Sequence, residues 1–237
     1  MTTLAARRRA RPAELRLGLA LGLVLTLTAC GGSTPLDRLE RAAREADRFA
    51  GALFAPPGPA TRPLAVSPMP AEKPRLPLAA PISATDPRTG AALALTPRPL
   101  GGGVVEVRQS DGCVWRRDDW FSPSSWWRGC GDSANWRDGG AEVSGGAGLW
   151  PLRLGAEGRF QRRAVSHTGR SYERETVCRA TEAVEVLRDG RAPTPAFVVD
   201  CSDGKRVRTT WWAPGEGPVA FRKTHRDKGV EELWVAD

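Results

Sequence analysis

The feature that most constrains the fold is the spacing of short β-prone runs over residues 101–237. Runs such as residues 104–108 and 207–212 are separated by Gly, Pro, Asp and Lys at intervals of about 10 to 15 residues, and no long helical period interrupts them. This pattern is typical of antiparallel all-β domains, and the segment is large enough for one hydrophobic core. We therefore predict a mainly β fold for residues 101–237.

One pair of cysteines can be placed from the turn between them. Asp189-Gly190 has the composition of a two-residue hairpin turn, and such a turn sets Cys178 directly opposite Cys201. Directly opposed strand residues have Cα atoms about 4.5 to 5.5 Å apart, which is within reach of a disulfide. The sequence therefore predicts a Cys178–Cys201 bridge.

The other two cysteines of the domain follow by elimination. Four cysteines downstream of residue 100 are an even number, as expected for a chain bound for an oxidising compartment, and Cys113 then pairs with Cys130. Pro193 and Pro195 lie on the second arm of the predicted hairpin and remove ladder donors. A longer loop with a β-bulge therefore stays open as an alternative to the two-residue turn.

The N-terminus has the layout of a secretory signal. Five arginines precede the uncharged apolar run 17–29, which ends in Leu27-Thr28-Ala29-Cys30. This ending resembles the lipobox of bacterial lipoproteins. The resemblance implies that residues 1–29 are removed as a signal peptide and that Cys30 is acylated on its sulfur and its amine. Gly31, instead of aspartate, implies the outer membrane, with the domain in the periplasm or surface-exposed; the alternative is a short anchor or buried helix.

The basic charge of the chain depends largely on this signal. The intact chain of 237 residues has a formal charge of +8, and loss of five arginines and one glutamate with residues 1–29 lowers it to +4. A nucleic-acid partner would need a concentrated basic patch. We therefore expect no nucleic-acid partner. The partner that the lipid anchor implies is the membrane.

Two segments connect the anchor to the domain. Residues 30–55 comprise the lipidated N-terminus and a short helix over 35–54, predicted from an alanine-rich apolar stripe at three- and four-residue steps. Of the 20 prolines, 13 fall within residues 31–100, and no aromatic residue occurs between Phe54 and Trp115. That composition predicts a disordered Pro/Ala-rich linker over residues 56–100.

Several motifs in the C-terminal half occur in a recognisable order. They are Trp150-Pro151-Leu152 through Gly155, then 176–178 (TVC), 196–201 (AFVVDC) and 209–217 (TTWWAPGEG). In this order they resemble a family of uncharacterised bacterial envelope lipoproteins. The resemblance implies a curved antiparallel sheet or half-barrel-like domain, and it brings no known activity. The chain departs from the family pattern at residues 187–195, where a tighter turn is usual.

Motifs for catalysis or metal binding are missing from the sequence. The cysteines are 17 or more residues apart, which does not suit a zinc site, and no serine lies in a G-x-S-x-G elbow. Asp118 and Asp119 are adjacent and are assigned to a solvated loop. We therefore predict a non-enzymatic protein with no catalytic residue, no metal site and no cofactor.

The tryptophans are the candidate binding residues, because exposed aromatic side chains stack on sugars or bury protein partners. Most are expected in the core, with Trp126 or Trp127 exposed because neighbours in an extended segment point apart. For the same reason Trp211 and Trp212 should lie on opposite faces of one strand. The candidates are Trp120, Trp126, Trp127, Trp136 and Trp212.

These observations lead to one functional expectation and two alternatives. The leading hypothesis is a non-enzymatic lipoprotein that serves as a structural or binding module at the bacterial envelope. The first alternative is a carrier of lipid or another hydrophobic ligand in a cavity of the sheet, which a solid tryptophan-packed interior would exclude. The second is glycan or peptidoglycan binding through exposed tryptophans; an envelope protein is a further candidate partner.

Overall fold

The structure is a computed structural model that describes residues 57–64, 66–130 and 133–237. The predicted signal peptide, the lipidation site Cys30 and the helix over 35–54 lie outside the described residues. None of the described residues forms a helix with the length and hydropathy needed to cross a membrane. The described part of the chain is all-β, as the sequence predicts.

The strands form one antiparallel sheet that closes on itself. Twelve of them make a ring in the order β9-β10-β11-β12-β13-β2-β3-β4-β5-β6-β7-β8, and β8 pairs with β9 to close it. The short β1 pairs with β9 beyond the end of β8. The strands are β1 (Thr61–Pro63), β2 (Ile82–Thr85), β3 (Ala92–Gly101), β4 (Val104–Gln109), β5 (Val114–Arg117), β6 (Trp126–Arg128), β7 (Gly139–Gly145), β8 (Glu157–Ser166), β9 (Ser171–Val186), β10 (Thr194–Ser202), β11 (Arg206–Ala213), β12 (Gly217–His225) and β13 (Gly229–Ala236).

The prediction of a disordered linker over residues 56–100 is wrong for its described part. This segment supplies β1, β2 and β3, and β2 completes the ring by pairing with β13, Val235 opposite Thr85. The prolines that suggested a tether are compatible with a strand because of where they stand. Pro97 and Pro99 follow Leu95, the last residue of β3 that pairs with β2, so the edge of β3 facing away from β4 needs no donor there.

Both predicted disulfides are confirmed. Cys113 is bonded to Cys130, and Cys178 to Cys201, whose Cα positions are paired across β9 and β10. The connection between these strands is the loop 187–193 instead of a two-residue turn, and the register shifts between Val198 and Val199. The alternative of a longer loop with a bulge is therefore the correct one.

The two neighbouring tryptophans of β11 point to opposite faces of the sheet, as predicted. Trp212 faces the interior and packs in the main core, whereas Trp211 belongs to a second apolar cluster on the outer face. Both are buried, at 6% and 4% exposure for Trp211 and Trp212 respectively. A methyl group added at Gly58 would lie 3.4 Å from the Trp211 ring, so the segment before β1 covers the outer tryptophan.

One half of the interior is filled by a loop. Residues 118–125, which connect β5 to β6 and are called the plug loop below, enter the ring and bury Trp120 and Phe121. The Phe121 ring packs 5.4 Å from Trp212 and 5.5 Å from Trp150 between centroids. The plug loop thus occupies space that a ring of twelve strands would otherwise leave empty.

Candidate ligand-binding cavity

The other half of the interior is an open cavity of about 750 Å³. Residues of the β4–β5, β10–β11 and β12–β13 turns line it, among them Asp111, Lys205 and Lys228, so the cavity opens at that end of the sheet. Its wall is aromatic and cationic. Its lining side chains include Trp115, Arg117, Trp120, Trp127, Trp136, Arg162, Tyr172, Arg174, Thr176, Asp203, Arg206, Arg208, Phe221, Lys223, Glu231, Glu232 and Trp234.

Strand alternation brings the arginines inward. On β8, Phe160 and Ala164 are buried in the core, and Arg162 lies between them at the intervening inward position. On β11, Arg208 precedes the buried Thr210 by two residues on the same face. The inward-facing positions therefore change from apolar to cationic along each of these strands.

Two arginines of the cavity wall, Arg117 and Arg162, lie against aromatic rings. The Arg117 Cζ is 4.4 Å from the centroid of the Trp115 ring. The Arg162 Cζ is 4.6 Å from the centroid of Trp127 and 5.5 Å from that of Tyr172. Such cation–π contacts fix the guanidinium plane without using its N–H donors.

The plug loop is held by two of the interior arginines, a name used below for Arg117, Arg162 and Arg208. Arg117 Nη1 donates to the Trp120 carbonyl at 2.9 Å. Arg208 donates from Nη2 to the Phe121 carbonyl at 2.9 Å and from Nη1 to the next carbonyl at 3.2 Å. These bonds satisfy backbone acceptors that the plug loop carries into the interior.

Among the described residues, no carboxylate forms an ion pair with an interior arginine, although the charges of Asp119, Asp203 and Glu232 attract these guanidiniums from a greater distance. The Nε of Arg162 is buried and unsatisfied. Burial lowers the pKa of Arg117 well below its usual value, and the charge of Arg208 lowers that pKa further. Burial likewise lowers the pKa of Arg208 to about 10, with Arg162 adding to the effect. The three guanidiniums therefore repel one another across the same space.

Three other cations of the wall, Arg174, Arg206 and Lys223, are paired with acids. Arg174 Nη1 lies 3.2 Å from Asp203 Oδ2, and Arg206 Nε lies 2.9 Å from Glu231 Oε2. The Lys223 Nζ is 3.5 Å from the same Glu231 oxygen. Counter-charge is thus present on the wall, but it is taken up by these cations.

Glu232 is the carboxylate of the wall whose charge is least favoured. Burial raises its pKa above the usual value, and the nearby Lys223 opposes that shift. Its Oε1 accepts a hydrogen bond from Trp234 Nε1 at 3.3 Å.

The structure distributes the five candidate tryptophans between two faces. Trp120 and Trp127 are buried and line the cavity, and Trp136 lines it while half-buried. Trp212 is buried in the packed half. Trp126 is half-buried next to Trp127, and the Arg116 Cζ lies 4.4 Å from its ring centroid.

The close approach of the β7 backbone fixes the position of the Trp127 ring. A Cβ added at Gly139 on β7 would lie 2.3 Å from Cζ2 of the Trp127 ring, so only glycine fits at that point of the neighbouring strand. The ring also donates from Nε1 to the Trp136 carbonyl at 3.0 Å. Trp127 is thereby fixed as part of the cavity wall.

The assignment of Asp119 to a solvated loop is wrong. Asp118 is exposed, but Asp119 is buried at the base of the plug loop. Its carboxylate accepts from the Phe121 backbone N–H at 2.9 Å and from Trp150 Nε1 at 2.8 Å, and Lys73 Nζ lies 3.3 Å away. Asp119 therefore fixes the plug loop, and its partners are distant in sequence.

Sequence reasoning missed the interior arginines. A signal for them was present, because Arg208 shares the face of Thr210 and Trp212, and Arg162 stands two residues from Phe160. Reading the inward register from the aromatic residues toward each strand end would have indicated cations facing the interior.

Within the described ranges, no group of three or more His, Cys, Asp or Glu side chains is arranged to hold a metal ion. Comparisons with protein-family models, with curated proteins and with solved structures found no match.

Proposed function

We propose that this chain is a non-enzymatic, lipid-anchored lipoprotein of the bacterial outer membrane whose β-domain binds a small ligand inside the closed sheet. The cavity of about 750 Å³ is the observation that carries the proposal. Its volume lies in the range of about 300 to 1,000 Å³ that is typical of small-molecule sites in proteins. The anchor and location rest on the lipobox and the signal layout of residues 1–30.

The tryptophans support a carrier or binding role over a purely structural one. Five of the nine tryptophans border the cavity; four of them are 1 to 7% exposed and packed in the core, and Trp136 is half-buried. Half-buried aromatic side chains such as Trp136 and Tyr172 can bury a ligand's apolar surface. Binding is preferred to catalysis because the sequence has neither a nucleophile elbow nor a metal-ligand spacing.

A bulky substitution in the cavity wall tests this proposal. Thr176 on β9 is 5% exposed and lines the cavity, whereas the next residue, Val177, faces the other side of the strand. The probes are 1-anilinonaphthalene, which is neutral, and its 8-sulfonate, which is anionic. They are titrated into the full chain carrying Cys30→Ser, so that no acyl chain offers a second apolar site.

We expect saturable one-to-one binding of at least one probe, its loss in Thr176→Phe and its retention in Val177→Phe. Circular dichroism establishes that both variants are folded. Two results would contradict a ligand site inside the sheet. In the first, neither probe binds the chain with the native cavity wall; in the second, Thr176→Phe and Val177→Phe bind the probes equally.

A further inference from the structure

The charges and rings of the cavity wall indicate the chemical class of the ligand, which the cavity volume alone does not. This inference rests on the proposed function. The wall holds cations of two kinds. Arg174, Arg206 and Lys223 are matched by Asp203 and Glu231. Among the described residues, the interior arginines have no carboxylate at ion-pair distance, and Asp119, Asp203 and Glu232 act on them only from farther away.

A buried donor without a partner, such as the Arg162 Nε, is costly even where the rest of the side chain reaches an open cavity. An ionised group removed from water without a partner loses several kcal/mol of solvation, and proteins compensate it by pairing or by a bound ion. Because no carboxylate lies within ion-pair distance of these arginines, an anion that enters the open cavity would supply the missing negative charge.

Arg162 has the donors to receive that charge. A guanidinium carries five N–H donors in one plane, and in the described part of the chain none of those of Arg162 is used. Its Cζ lies over the rings of Trp127 and Tyr172, so the plane is held while its N–H edge stays free. Guanidinium groups fixed in this manner bind carboxylate, phosphate and sulfate in a bidentate geometry.

The aromatic part of the wall adds a second requirement. Trp115 packs edge-on against Trp120 at 5.9 Å, and Trp120 packs edge-on against Trp234 at 6.3 Å, and all three line the cavity. Those three rings are only 1 to 6% exposed, whereas Trp136 and Tyr172, with ring centroids 4.7 Å apart, line the cavity half-buried and offer apolar surface beside Arg162. A free inorganic ion would leave that surface in contact with water.

We propose that the cavity binds an organic oxyanion, in which a carboxylate, phosphate or sulfate group engages Arg162 and an apolar body packs on Trp136 and Tyr172. Arg117 and Arg208 contribute positive potential at the anion position while they hold the plug loop. A fatty acid, an anionic lipid headgroup region or an aromatic acid shares this chemistry.

The matched pair of probes isolates the anionic group, because the 8-sulfonate is the only difference between them. Arg162→Gln is compared with Arg163→Gln, which removes the same charge from the outer face of β8, where Arg163 pairs with Glu173 at 2.8 Å. One charge-assisted hydrogen-bonding site corresponds to about tenfold or more in affinity.

We expect the sulfonate to bind at least about tenfold more tightly than the neutral probe. Arg162→Gln should remove that advantage and leave neutral-probe binding unchanged, and Arg163→Gln should change neither. Equal affinity for the two probes, or an undiminished sulfonate preference in Arg162→Gln, would overturn the oxyanion proposal while leaving the ligand site intact. Failure of both probes would instead contradict the proposed function itself.

Displacement of the bound sulfonate at constant ionic strength then tests the apolar body. Phenyl phosphate or decyl phosphate should displace it at a concentration at least about tenfold below that of inorganic phosphate. A preference for the phenyl ester indicates an aromatic acid, and a preference for the decyl ester indicates a lipid-like ligand. Displacement by inorganic phosphate at equal concentration would overturn the requirement for an apolar body.

Discussion

Strand alternation is the same in both halves of the interior, but the inward-facing side chains fill the two halves differently. In the packed half, inward positions are aromatic and the plug loop closes the remaining space, with Phe121 only 1% exposed. In the open half, inward positions carry long cationic side chains, and a cavity is left between them. On β11 the change from Trp212 through Thr210 to Arg208 takes four residues along one face.

The difference shows how a closed sheet separates stability from binding. Apolar side chains pack to high density and leave no room, whereas guanidiniums that repel one another cannot collapse onto the same space. The packed half therefore anchors the fold, and the open half keeps a site.

The largest loss of stability is expected for Phe121→Ala in the plug loop. The side chain is buried between Trp150 and Trp212, and removal of a buried phenyl ring costs about 3 to 5 kcal/mol. Urea unfolding followed by tryptophan fluorescence measures the change. The control Val207→Ala, at 36% exposure on β11, should lower the free energy of unfolding by less than about 1 kcal/mol. Equal effects of the two would show that the plug loop does not anchor the fold.

A smaller loss is expected when the base of the plug loop is released. Asp119→Ala leaves the Phe121 N–H and Trp150 Nε1 without their acceptor, at a cost of about 1 to 3 kcal/mol. Asp118→Ala is the matched control, because the neighbouring carboxylate is exposed and makes only a 3.4 Å contact with Ser122 Oγ. Chemical unfolding of both variants should rank Asp119→Ala as the less stable, and the reverse order would contradict the assigned role.

The smallest effect is expected in the open half, where two adjacent carboxylates should respond in opposite directions. Burial raises the pKa of Glu232, so its contribution to stability is present below the pKa of the unfolded chain and is lost as the pH rises through the folded pKa. Glu232→Gln should therefore gain up to about 1 kcal/mol at pH 7 relative to the native chain, and nothing at pH 4.

Glu231 supplies the contrast. Burial acts to raise its pKa, but hydrogen bonding to Arg206 and the charge of Lys223 outweigh that effect, and the pKa is lowered. Its contribution is present above the unfolded pKa and is lost as the pH falls through the folded pKa, so Glu231→Gln should lower stability at pH 7. Thermal unfolding across pH 4 to 8 gives both curves, and parallel curves for the two variants would refute the assignment.

The local patterns of the sequence were sufficient for the fold class and the disulfides. Turn residues and alternation predicted an antiparallel sheet, and the opposition of Cys178 and Cys201 across a hairpin was recovered even though the loop is longer than two residues. The sequence does not predict that the sheet closes into a ring, because β2 and β3 lie in a stretch whose proline content indicates a tether. Pairing with β13 is a long-range contact, and composition carries no information about it.

The site was less predictable for a related reason. The tryptophans could be named, but a sequence does not show whether an inward aromatic residue meets another side chain or open space. Arg162 and Arg163 are indistinguishable in composition, and only the register against Phe160 separates a cavity residue from a surface one. Asp119 was misassigned because its partners, Lys73 and Trp150, are far away in the chain.

The most direct test of a positively charged, solvent-accessible interior is collisional quenching of tryptophan fluorescence by iodide and by caesium at equal ionic strength. Trp115, Trp120 and Trp127 lie within 6.0 Å of interior arginines, so iodide should quench the folded chain more strongly than caesium. Arg162→Gln should reduce iodide quenching, and Arg163→Gln should not. Equal quenching by the two ions, or the same iodide quenching in both variants, would contradict an anion-accepting cavity.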